Sequence, residues 1–248
     1  MQFCLRKLLK IAFLAFFFIK RKTYEIRKTF LGNKNSDKCI VVLHGWGGNA
    51  LYLKIPLLPL FKYYSFLFYD YSPDILNPDP FSVLENFRKV KEDFLNEADK
   101  LSKKQLILFG TSLGAFLSTY LANTPFKDNP KKLILNTIGS SISETFWYGA
   151  ATKKLKEEAR KKGFTLEDFK KVWHEIEPKN NIPKKPHLKY LVFISKKEKV
   201  IPFYLCEEFL KLLEDKEAEV YFNKYLGHIS ASVFNTFRIK KIKRFVEE

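Results

Sequence analysis

The chain has 248 residues, 46% of them hydrophobic, with 25 Phe and 12 Tyr. That is ample for one buried core and far from the composition of a disordered chain, while a second independent core would be hard to fit. The net charge is +17, yet the 44 cations are mostly scattered lysines and only seven are arginines. No basic run is interleaved with stacking aromatics, so nucleic-acid binding is not expected and a lysine-rich solvated surface explains most of the charge. Cys4, Cys39 and Cys206 have no paired spacing and no histidine pattern beside them. They exclude a disulfide framework and a zinc site, and a reducing, cytoplasmic setting fits best.

In chain order, residues 1–22 form a segment of their own. Arg6 and Lys7 precede an apolar stretch from Leu8 to Ile19, interrupted by Lys10, and Lys20-Arg21-Lys22 follow at once. The stretch is short for a membrane span of roughly 20 residues, and three cations stand where a signal cleavage site would need small residues. Three readings fit it: a short cation-flanked helix lying on an anionic membrane surface, a cleaved signal, or an element packed into the fold. The first is preferred, and it makes the protein cytoplasmic with association to a membrane surface through this segment.

From residue 23 onward the pattern is strand, turn, helix. Tyr24 to Leu31 alternates like a strand and ends at the turn signal Gly32-Asn33. The continuous apolar run Cys39 to Leu43 suits a strand buried on both faces and leads into His44-Gly45-Trp46-Gly47-Gly48. A helix is predicted over about 50–61, a strand over 64–69, and a long amphipathic helix from about Phe81 to Leu101 after a proline-marked loop. Further strands are predicted at 105–109, 132–138, 190–195 and 218–223. Strands alternating with helices in this way call for an α/β fold, a mainly parallel sheet with helices on both faces. The interval from about 140 to 186 breaks the rhythm and reads as a small helical cap. Its aromatics, among them Phe146, Trp147, Tyr148 and Trp173, either line an acyl pocket or pack the cap onto the body.

The most informative motif is Gly110-Thr111-Ser112-Leu113-Gly114, set between the run Gln105 to Phe109 and a helical stretch from Ala115. A G-x-S-x-G match alone is weak, but between strand and helix it has the grammar of a nucleophile elbow. The glycines are expected because a Cβ at either would meet the neighbouring strand, and the serine is expected in strained backbone geometry.

With that elbow, residues 24–248 resemble the α/β-hydrolase superfamily. The resemblance rests on His44-Gly45-Trp46-Gly47-Gly48, the elbow, Glu198-Lys199-Val200-Ile201-Pro202 and Gly227-His228, in the order of oxyanion motif, nucleophile, acid and histidine. It implies Ser112 as nucleophile, His228 as its base and Glu198 as the acid that orients His228. It also implies an oxyanion hole from the backbone N–H groups of Trp46 and Leu113, with Gly45 allowing the close approach. The common acid in relatives is Asp, so Glu198 departs from the pattern, and its loop is expected to set the backbone further back. Glu144 and Asn136 mark the fallback region for the acid. The activity implied is a serine hydrolase acting on a small-molecule carboxylic ester, lipid-like or with a medium-chain acyl group, through an acyl-enzyme, with no metal or organic cofactor. The same residues would serve an acyltransferase, thioesterase or amidase, and a hydrolase-like membrane-surface binding protein without turnover is the competing class. Oligomeric state has no signal in the sequence.

Overall fold

Seven segments pair into one sheet, the inner ones because they carry few side chains that need water. In the computed structural model, which describes residues 25–123, 130–183, 185 and 187–248, they are β1 (Ile26–Gly32), β2 (Lys38–Leu43), β3 (Ser65–Tyr71), β4 (Gln105–Thr111), β5 (Lys132–Asn136), β6 (Lys189–Ser195) and β7 (Ala218–Asn223). The three readings of residues 1–22 fall outside the described residues. Strand order is β1-β3-β2-β4-β5-β6-β7, with β1 antiparallel to β3 and every other pairing parallel. The inner strands β4, β5 and β6 are buried almost end to end, as parallel strands covered on both faces must be, whereas the edge strand β1 alternates between half-buried and exposed residues.

Because side chains alternate along a strand, the two faces build separate cores. Cys39, Val41 and Leu43 of β2 point into one, with helices α2 (Pro80–Lys100), α3 (Leu113–Ala122) and α7 (Phe203–Lys211). Ile40 and Val42 point into the other, which α1 (Leu51–Leu57) and α9 (Ile239–Glu247) cover through Leu53, Leu57, Ile242, Phe245 and Val246. Two of these helices show how the sequence sets them. Asp79 caps α2 by accepting from the Phe81 N–H, Pro80 fills the first turn, and Val83, Phe87, Val90 and Phe94 form its buried stripe. All ten residues of α3 are buried, and the hydroxyls of Ser118 and Thr119 are satisfied by donating back to the Gly114 and Ala115 carbonyls.

Several boundaries differ from the sequence reading, β3 and β4 running on to Tyr71 and Thr111, and two of the differences have a plain cause. The helix predicted over 50–61 is α-helical only to Leu57 and tightens into a 3₁₀ turn at Leu58–Leu60, because Pro59 has no N–H for the Ile55 carbonyl and Leu58 takes that bond instead. The strand predicted to reach Ile138 stops at Asn136, because Thr137 turns to φ +57°.

Between β5 and β6 the chain forms α4 (Ile142–Tyr148), α5 (Lys153–Lys161), α6 (Leu166–Val172) and a 3₁₀ turn at His174–Ile176. Ser141 caps α4, and Thr165 with Asp168 forms a capping box on α6. Most of the aromatics of this insertion pack it down. Phe146 stacks on Phe169, Trp173 meets both edge-on, and the fully buried Trp173 donates its indole N–H to the Pro80 carbonyl at 2.8 Å. Tyr148 is exposed. No helix among the described residues is long and apolar enough to cross a membrane. The last two elements are α8 (His228–Phe234) and α9.

Candidate active site

The carboxyl ends of β2, β4 and β5 lie level: Leu43 pairs with Gly110 and Thr111 with Asn136. The segments carrying His44 to Gly48, Ser112, Glu198 and His228 follow the carboxyl ends of the parallel strands β2, β4, β6 and β7, the edge where ligands bind in open parallel sheets.

Ser112 sits at the tip of the turn from β4 into α3 with φ +55° and ψ −118°. Such backbone is strained for any residue with a Cβ and persists only where its surroundings dictate it. The glycines do part of that work. A Cβ on Gly114 would stand 2.0 Å from the Leu43 carbonyl oxygen of β2. A Cβ on Gly110 would meet the Gly114 carbonyl at 2.1 Å and the Ser118 Oγ at 2.4 Å, so its constraint comes from the elbow's own helix and not from a neighbouring strand as expected.

His228 is the first residue of α8, and its Nε2 lies 2.8 Å from Ser112 Oγ. Its Nδ1 lies 2.6 Å from Glu198 Oε2. An ionised carboxylate can only accept, so Nδ1 carries the proton and Nε2 is left to accept from the Ser112 hydroxyl. The Glu198 side chain is almost wholly buried, which rules out the lysine-screened surface position that its neighbours in sequence suggest. Its second oxygen, Oε1, accepts the backbone N–H groups of Lys199, Val200 and Ile201 at 2.8, 2.7 and 3.1 Å. The extra methylene of Glu is thus absorbed by folding the carboxylate back over its own turn. Three N–H donors hold the charge in place without a cation.

The fallback acid region lies elsewhere. Glu144 is bonded to Lys179 and Tyr204, and Asn136 faces α8 behind the histidine. His44 is buried below the glycine-rich loop. Its Nδ1 contacts the Gly45 carbonyl at 2.7 Å and its ring stacks on Tyr71. His174 and His187 are exposed.

The loop after β2 lies against Ser112: a Cβ on Gly45 would come within 3.3 Å of the Ser112 Cβ. Leu113 opens α3, so its N–H has no carbonyl partner within the helix. Trp46 lines the same cleft and is pinned by its indole N–H on the Pro73 carbonyl. Two supports of this loop have no motif in the sequence. The Gly45 N–H donates to the Tyr52 hydroxyl at 2.7 Å, and the Tyr71 hydroxyl donates to the His44 carbonyl. Burial pushes the Tyr52 phenol upward, so it stays neutral. Seven residues of spacing in one case and a distant strand in the other leave no pattern to read.

The cleft above Ser112 has a free volume of about 40 Å³ and is walled by Trp46, Leu76, Phe116, Ile142, Phe146 and Val200, with Thr145 and Thr152 among them. Both threonine hydroxyls are spent on main-chain carbonyls, Ser141 and Phe146, so the walls are apolar in effect. Phe146 therefore both packs the insertion down and lines this cleft. No group of three or more His, Cys, Asp or Glu among the described residues is placed to hold a metal. Burial pushes the Cys39 thiol up to about 11, and burial beside the Glu198 charge pushes Cys206 up to about 12. Neither is a thiolate at neutral pH.

No protein-family model and no curated protein matches the chain. Solved structures do. Mouse alpha/beta hydrolase domain-containing protein 10 is 15% identical with a TM-score of 0.59, covering 93% of this chain and 97% of its own. An esterase from Exiguobacterium antarcticum is 15% identical with a TM-score of 0.57, covering 91% and 96%. MenH from S. aureus is 14% identical with a TM-score of 0.54, covering 92% and 98%. The sheet order, the elbow and these likenesses over nearly the whole of both chains give one conclusion: this chain has the α/β-hydrolase fold.

Proposed function

We propose that the protein is a serine hydrolase that cleaves carboxylic esters with an apolar acyl group through an acyl-enzyme. The observation that carries this reading is the unbroken relay from Ser112 Oγ to His228 Nε2 at 2.8 Å and from His228 Nδ1 to Glu198 Oε2 at 2.6 Å. Likeness to an esterase fold supports it.

In this mechanism Ser112 Oγ attacks the ester carbonyl while His228 Nε2 takes its proton. The carbonyl oxygen becomes an oxyanion, met by the Trp46 and Leu113 N–H groups. Glu198 holds the proton on Nδ1 and stabilises the imidazolium. As the tetrahedral intermediate collapses, Nε2 returns the proton to the leaving alkoxide and an alcohol departs. Water then enters, gives its proton to Nε2 and attacks the acyl carbon; collapse releases the acid and restores Ser112. No step calls on a metal or organic cofactor.

The cleft bears on the acyl group. A dry cavity of about 150 Å³ holds a benzene ring, and the free volume here is about 40 Å³. A cleft of this size favours a short acyl chain over the medium-chain or lipid-like group expected from sequence. A p-nitrophenyl ester series from acetate to decanoate tests this. The expected result is turnover greatest at two to about four acyl carbons and abolished in Ser112→Ala. Turnover that survives in Ser112→Ala, or absence of turnover across the series, contradicts the reading. Thioester, amide and acyl-transfer chemistry would appear as a higher rate when the corresponding substrate replaces the ester or an acceptor alcohol is added to it.

A further inference from the structure

Asn136, the last residue of β5, is fully buried and makes contacts toward both halves of the site. Its main-chain carbonyl accepts the Ser112 N–H at 2.8 Å. Its side-chain amide donates to the Ser232 carbonyl at 2.8 Å, and its side-chain oxygen accepts from Asn235 Nδ2 at 3.0 Å. Ser232 belongs to α8, the helix that His228 opens, and lies one helical turn along from it on the same face. The Ser232 carbonyl is among the last of that helix, which have no partner within it.

A second bond ties the same two elements. The Thr137 hydroxyl lies 3.2 Å from Ser232 Oγ, and the Thr137 N–H reaches the Phe193 carbonyl of β6 at 2.8 Å. Among the described residues only Ser112 and Thr137 hold a positive φ without being glycine. One is the nucleophile and the other directly follows Asn136. Backbone strain of this kind persists where the surroundings enforce it.

We propose that Asn136 is a positioning residue that locks the turn carrying Ser112 to the helix carrying His228, and so sets the Oγ to Nε2 distance. It touches neither the imidazole nor the cleft and acts through the rotation and height of α8. Asn235 and Thr137 support it: the first fixes the Asn136 amide, the second the helix face beside it. Asn is suited to the place because it donates and accepts at once, and a buried Leu of similar volume can do neither. This inference rests on the catalytic reading of Ser112 and His228.

The test is Asn136→Leu in the full chain, read by ester kinetics, thermal unfolding and the low-field proton NMR resonance of His228 Nδ1–H. The expected result is a loss of about a hundredfold in kcat with KM unchanged, since misplacement of a reacting group by about 1 Å costs that much. The low-field proton is expected to broaden or vanish while unfolding stays cooperative. Asn235→Ala, which leaves the Asn136 main chain untouched, is expected to show the same pattern at about tenfold and serves if Asn136→Leu does not fold. Full kcat and an unchanged low-field proton in whichever variant folds would overturn the proposal and leave the hydrolase reading intact. If the wild type hydrolyses no ester but the variants still lose the low-field proton, the clamp stands and the hydrolase reading falls.

Discussion

The turn that presents Ser112 and the turn that presents Glu198 both follow a buried parallel strand, yet different forces hold them. The first is fixed by steric exclusion: Gly114 packs so closely on β2 that a single methyl would overlap the Leu43 carbonyl, and the serine is pressed to φ +55°. The second is fixed by attraction, with three consecutive N–H groups converging on one carboxylate oxygen while the other faces His228. Steric exclusion selects residue types and leaves a pattern in the sequence. Backbone donors belong to every residue, so the Glu198 turn leaves only the glutamate itself.

That contrast makes the two turns respond differently to the smallest changes, and the larger effect is expected at the acid. In Glu198→Gln the amide oxygen can still accept the three N–H groups, but the amide nitrogen faces Nδ1 and imposes the wrong tautomer. A kcat lower by about 10⁴ is expected with the melting temperature nearly unchanged. A melting temperature that falls steeply would show that the carboxylate charge also holds the turn together. Near-normal turnover would remove Glu198 from the relay. At the elbow the smaller change is energetic: Gly114→Ala is expected to cost roughly 3 kcal/mol of stability, measured by urea unfolding, because the overlapping atom belongs to backbone that cannot swing away. A stable Gly114→Ala protein would mean the close approach to β2 is not what shapes the turn.

The same distinction explains what could be read beforehand. The sheet was legible because strands buried on both faces must be apolar throughout, as in Cys39 to Leu43. The elbow and the order of Ser112, Glu198 and His228 were legible because sharp turns and chain order constrain residue identity. The end of β5 was not, since a threonine in left-handed backbone has no signature apart from the contacts that enforce it. Asn136, Tyr52 and Tyr71 were invisible as supports for a related reason. Each acts through a main-chain group, and the bond from Asn136 reaches a carbonyl 96 residues away. Ser112 has a sequence pattern, while what aligns it with His228 is visible only in three dimensions.

Everything proposed for this site depends on Ser112 being an activated nucleophile. Intact-protein mass spectrometry after exposure to a fluorophosphonate measures this directly, because a phosphonyl adduct forms only on a serine whose proton has a base to receive it. One adduct per chain is expected, mapped to Ser112 and absent from Ser112→Ala. A folded wild-type protein that takes up no adduct, or an adduct that persists when Ser112 is alanine, would contradict it.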